Sequence, residues 1–187
     1  MILKIKDYFD QIALCNNFFF ADFSEWLFYN GMLFGSYEKW WGDFGLRSNL
    51  HEGIDIAMYK DKYGKTKWFD TNIKIPAMAK GGIINICNDF LGKSLIIEHE
   101  LSQNKKSRII SVYAHVCVAK NIYIGRKIRK GDIIANVCDT SRKKSNIPCH
   151  VHISIMEVKK KISNHFLNWE FFEVNNSDLV KLFNPWI

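Results

Sequence analysis

The rhythm of apolar and polar positions changes once along this chain. From about residue 46 onward, short runs rich in Ile and Val are separated by Gly, Asn, Asp and Lys, at 53–58, 82–86, 94–99, 109–118, 132–137 and 151–158. Strands at this spacing, with no helical period between them, predict a largely antiparallel sheet of the sandwich or barrel kind. Residues 127–134 read as a turn joining two strands. Before residue 46 the texture is aromatic, with Phe18-Phe19-Phe20, Trp26, Phe28, Trp40 and Trp41. There Asp22-Phe23-Ser24-Glu25 resembles a helix start and Gly31 a stop, so a short helix is predicted over about 23–30, with a further one before it. The expected layout is a helical extension over 1–45 and a mainly β domain over 46–187. The aromatics of the extension are read as packing material.

Alternation along three of these strands carries the chemistry. In HEGIDIAM, strand geometry puts His51, Gly53 and Asp55 on one face and Ile54, Ile56 and Met58 on the other. In CHVHISI, His150, His152 and Ser154 share a face opposite Val151, Ile153 and Ile155. In SVYAHVCV the same rule puts Tyr113 and His115 together, opposite Val112, Ala114, Val116 and Val118. Three apolar faces can build one core while the polar faces converge on a cleft. Two His and one Asp suit a zinc ion whose fourth position stays open, the arrangement of catalytic rather than structural sites. An adjacent unligated His can then move a proton. His99 and His165, each alone on its segment, are read as structural.

Composition narrows the rest. The 187 residues are 48% hydrophobic with only 3 Pro, enough to bury a core and too few breakers for a linker-like chain. No run approaches the ~20 apolar residues of a membrane span. Asp7 and Asp10 stand where the apolar region of a secretory signal would be. The net charge of +7 is spread over the clusters Lys105-Lys106-Arg108, Arg126-Lys127-Arg129-Lys130, Arg142-Lys143-Lys144 and Lys159-Lys160-Lys161, read as solvated turns. No nucleic-acid motif accompanies them. The five cysteines are odd in number and lack a C-x-x-C, so structural thiols are expected rather than a zinc finger, a redox pair or a dense disulfide framework.

The motifs Gly45-x-Arg47, His51-Glu52-Gly53-Ile54-Asp55-Ile56, Tyr113-Ala114-His115 and His150-Val151-His152 stand in the order they have in the M23 metallopeptidases. Pro76-Ala77 before Gly81-Gly82, the Ile96-Ile97-Glu98-His99 strand, Gly125 and Gly131 are further markers. The chain thus resembles the lysostaphin and LytM-like group over roughly residues 45–158. The resemblance implies an antiparallel β-sheet groove of the LytM-like, barrel-sandwich type, holding one zinc per chain. It implies hydrolysis of peptide bonds in bacterial peptidoglycan, with cross-bridge or stem peptides as the partner, by a monomer with no nucleic-acid partner and no membrane span. Carried over position by position, it implies His51, Asp55 and His152 as metal ligands and His115 and His150 as the unligated catalytic pair. It also implies a cell-envelope or secreted setting. Two other classes compete: a non-catalytic wall-binding or regulatory module, and a sugar phosphocarrier using paired His. The chain departs from the family pattern in a long insertion over 58–75, in SRKKSNIPC before His150, and in Ile153-Ser154 after His152. The insertion is expected to line one end of the groove.

Overall fold

The computed structural model describes residues 5–100, 106–140, 146–174 and 178–186. Lys105 and Arg142-Lys143-Lys144 of the basic clusters, with most of the loop before His150, lie outside the described residues. Helix α1 spans Ile5–Cys15 and is followed by strands β1 (Phe23–Trp26), β2 (Ile54–Ile56), β3 (Met58–Asp61), β4 (Thr66–Trp68), β5 (Lys74–Pro76) and β6 (Gly81–Asn88). Strands β7 (Lys93–His99), β8 (Ser107–Val118), β9 (Lys127–Ile128), β10 (Ile133–Val137) and β11 (Val151–Lys159) come next. Helix α2 (Trp169–Val174) and strand β12 (Val180–Phe183) close the described chain. The fold is mainly β and antiparallel, as expected, and every Ile/Val run after residue 46 contributes to a strand.

The large sheet runs β12-β11-β8-β7-β6-β9, with β10 added to β8 and β5, and β2 added to β11. Its two faces bury different things. Ile54, Ile56, Leu95, Ile97, Tyr113, Val151, Ile153 and Ile155 enter one core, which α1 covers with Ile5, Tyr8, Phe9 and Ile12. Toward the far end of the other face, Ile96, Ile110, Val112, Met156 and Val158 form a second cluster over which Phe171 and Phe172 of α2 pack. The histidines stand on that second face, beyond this cluster. None of the described helices is long and apolar enough to cross a membrane.

Three expectations are corrected. Residues 23–26 form a strand, not a helix: Asp22 is left-handed and β1 pairs with β3, where Trp26 lies opposite Tyr59. The pairing partner lies in the insertion, and its packing overrides local helix propensity. The insertion itself makes β3, β4 and β5 and packs on the N-terminal aromatics. Phe18 meets Tyr59 at 4.4 Å and Phe69 at 6.1 Å between ring centroids, and Trp26 meets both as well. Lastly, Cys117 and Cys138 are disulfide-bonded, while Cys15, Cys87 and Cys149 are free thiols. Pairing of Val116 with Val137 brings these distant residues together, which spacing along the chain did not reveal.

Phe18 is buried at the joint of α1, β1 and the insertion, against the rings of Phe23, Trp26, Tyr59 and Phe69. Phe18→Ala should therefore lower the unfolding free energy by about 3–5 kcal/mol in urea denaturation. A loss below about 1 kcal/mol would show that the layer stands outside the cooperative core.

Candidate metal centre and active site

Strand β11 enters between β2 and β8, and its register decides what meets. His152 lies opposite Asp55 on one side and opposite Ala114 on the other. Directly opposed residues share a face, so His152 and Asp55 project together. Gly53 makes the approach possible: a Cβ there would sit 2.3 Å from the Ile153 carbonyl and 2.7 Å from His152 Nε2. Any larger residue at 53 would push β11 away.

His51 Nε2, His152 Nδ1 and an Asp55 oxygen lie within 4.8 Å of one another, all buried. His152 Nδ1 is 2.9 Å and His51 Nε2 3.2 Å from Asp55 Oδ1, with 3.0 Å between the two nitrogens. The remaining nitrogens are committed elsewhere. His51 Nδ1–H donates to the Leu33 carbonyl at 3.1 Å, which leaves Nε2 as a lone pair. His152 Nε2 faces Ser154 Oγ at 2.7 Å; donation to that hydroxyl leaves Nδ1 as a lone pair too. Three electron-pair donors then face one point, and a divalent cation is the species that satisfies all of them. The donor set fits a metal.

Burial alone would push the Asp55 carboxyl upward. With no metal bound and the rings protonated, the charge of His51 and hydrogen bonds from His152 and His51 outweigh it and hold the carboxyl well below the usual range; with both rings neutral, a cation takes that place. Its second oxygen accepts from Trp40 Nε1 at 2.6 Å, and Arg47 Nη2 lies 3.6 Å away. Trp40, read from sequence as packing material, thus orients a candidate ligand. Nothing local to GSYEKWW signals this, because the contact spans 15 positions.

His150 and His115 stand beside the trio. The His150 ring lies 4.9 Å from that of His115, and its Nε2 is 3.9 Å from Asp55 Oδ1, farther than either candidate ligand. His150 Nδ1–H donates to the Pro148 carbonyl at 2.8 Å. Burial pushes the His150 pKa down to about 3, although the Asp55 charge pulls it up.

His115 reaches the site by a route that alternation did not predict. Tyr113 points into the opposite core, where its hydroxyl accepts from the Met78 N–H. A regular strand would send His115 after it. Instead His115 has φ of 64° and the pairing with β7 slips there, Lys93 opposing Val116 and Leu95 opposing Tyr113. The bulge puts His115 on the same face as Ala114 and turns Val116 back into the core. His99 is structural, as expected, bonded to the Lys80 carbonyl and Ser111.

An open cavity of about 1040 Å³ adjoins the trio, walled by Phe34, Tyr37, Trp41, Phe90, Trp169 and Phe172, with Lys39, Arg47 and Lys181 at its polar edges. Residues 58–75 take no part in its lining, contrary to expectation. Trp169 sits 5.4 Å from the His152 ring and 5.8 Å from that of His115.

Residues 49–164, more than half of the chain, match the family model described as Peptidase family M23. No curated protein matches the chain. Among solved structures, LytU is similar at 22% identity over 76% of this chain and 79% of its own, with a TM-score of 0.44. A variant of the catalytic domain of the prophage-encoded M23 protein EnpA from Enterococcus faecalis is similar at 19% identity, over 86% of this chain and 94% of its own, with a TM-score of 0.43. Lysostaphin is similar at 16% identity over 73% and 51%, with a TM-score of 0.42.

The Trp40 contact gives a test that needs no substrate. Trp40→Phe keeps the ring and removes the N–H, so metal affinity should fall by about 10- to 100-fold in a chelator competition. Unchanged affinity would remove Trp40 from the support of Asp55.

Proposed function

Because this chain belongs to peptidase family M23, we propose that it is a zinc endopeptidase cutting peptide bonds of bacterial peptidoglycan. The observation that carries the reading is the buried His51–Asp55–His152 trio with two further histidines at its edge, beside an open cavity. His51, Asp55 and His152 hold the ion in this reading. Zinc with an open position supplies Lewis-acid polarisation of a carbonyl and an acidified water near neutral pH.

The chain's own residues do the rest. His150 keeps its proton on Nδ1, committed to the Pro148 carbonyl, so Nε2 presents a lone pair. His115, across from it, is the second proton carrier. One accepts a proton as the scissile carbonyl is attacked, and the protonated ring returns it to the leaving amine. The aromatic walls exclude water along an extended peptide, and Arg47 and Lys181 suit its carboxylates. A phosphocarrier would have no use for the Asp55 donor, and a regulatory module no use for two free histidines beside it.

Digestion of purified peptidoglycan followed by mass analysis of released peptides tests the activity; intact peptidoglycan after exposure to the zinc-loaded protein would sink it. Variants test the roles. Asp55→Ala and His152→Ala should lose both zinc, by elemental analysis, and rate. His115→Ala and His150→Ala should keep zinc and lose about 10²-fold or more in rate. Zinc retained in His152→Ala but lost in His150→Ala would exchange those two roles.

A further inference from the structure

The hairpin between β6 and β7 carries a buried carboxylate that the activity proposed above leaves unused. The Asp89 side chain is fully excluded from solvent. Its Oδ1 accepts from the Leu91 and Gly92 N–H groups at 2.8 and 2.7 Å and faces His115 Nδ1 at 3.1 Å. Its Oδ2 accepts from the His115 N–H at 3.0 Å and from Ser94 Oγ at 2.9 Å. Burial pushes this carboxyl upward, but the hydrogen bonds from His115 and from the loop hold it well below the usual range. It is therefore an ionised acceptor, and Nδ1 of His115 must be its donor.

Both contacts land on the one residue whose backbone departs from the strand. A non-glycine residue at φ 64° is strained and persists only where its surroundings hold it. Here the His115 N–H is held by Asp89 Oδ2, and its carbonyl accepts from the Cys138 N–H at 3.1 Å. Without the bulge, alternation would send the imidazole into the opposite core with Tyr113.

We propose that Asp89 is the positioning residue of His115: it clamps the left-handed bulge that aims the ring at the site, and it fixes the proton on Nδ1 so that Nε2 presents its lone pair there. This rests on the reading of His115 as a proton carrier. Asp89 itself touches no reacting atom; it acts through the ring, as a buried carboxylate behind a catalytic histidine does.

The test reads the ring directly and then the rate. In the zinc-loaded protein, long-range ¹H–¹⁵N spectra of the histidine rings, with His115 assigned by its disappearance in His115→Ala, should show a protonated Nδ1 and an unprotonated Nε2. In Asp89→Ala the zinc content should be unchanged, that pattern should be lost, and kcat on peptidoglycan should fall about 10- to 100-fold with KM little altered. A loss confined to folding would lower active fraction and zinc together instead, and overturns the proposal. So does a proton on Nε2 in the unmutated protein, or an Asp89→Ala variant that keeps the native kcat or the native ring pattern. Should Asp89→Ala not fold, the ring pattern of the unmutated protein decides. Failure of that protein to cut peptidoglycan would count against the proposed activity, whereas the ring pattern still tests Asp89.

Discussion

The placement of β11 between β2 and β8 is the constraint on which the rest of the molecule depends. In that one register His152 faces Asp55 across β2 and Ala114 across β8. A slip of one residue would turn His152 into the core and bring Val151 or Ile153 to the site, burying no more apolar surface and losing the donor cluster. The register is protected from both sides. Ile54, Ile56, Val151, Ile153 and Ile155 fill one core and hold it by burial. On the other side the missing side chain of Gly53 lets β11 come close enough for His152 to reach Asp55.

Around that pairing, each candidate ligand is steered by a partner it did not choose locally. Leu33 fixes the tautomer of His51, Ser154 takes the outer nitrogen of His152, and Trp40 takes the outer oxygen of Asp55. These contacts come from the N-terminal segment as well as from the sheet. The aromatic layer of α1, β1 and the insertion therefore does more than cover a core: the same segment carries Leu33 and Trp40 to the site. The insertion 58–75 buttresses that segment instead of walling the cavity, and the walls come from residues 34–52, Phe90, α2 and β12.

Much of this was legible in the sequence, and the limit has a physical cause. Alternation along β2 and β11 put Asp55 and His152 on the polar faces, and the pairing of those strands brings them together; His51 lies just before β2, and the choice of these three as candidate ligands came from the resemblance to the M23 family. His115 was identified by its type and place, yet Tyr113 was wrongly put beside it, since a bulge inverts alternation and leaves no mark in SVYAHVCV. Asp89 and Trp40 were not read as site residues, because their roles exist only once distant segments meet. The strand at 23–26 was mistaken for a helix for a related reason: its caps look helical, and the β3 partner that decides the matter lies more than thirty residues away. The Cys117–Cys138 bond likewise follows from the pairing of β8 with β10 and not from spacing.

The central claim is that two imidazoles and one carboxylate of this chain hold the metal while two more imidazoles stay off it. X-ray absorption at the zinc edge of the unmutated, zinc-loaded protein measures this most directly, because it counts the imidazole ligands without needing a substrate. The account predicts two imidazoles, the remaining ligands oxygen, and no sulfur. Three or more imidazoles on the zinc would place His115 or His150 among the ligands and contradict it.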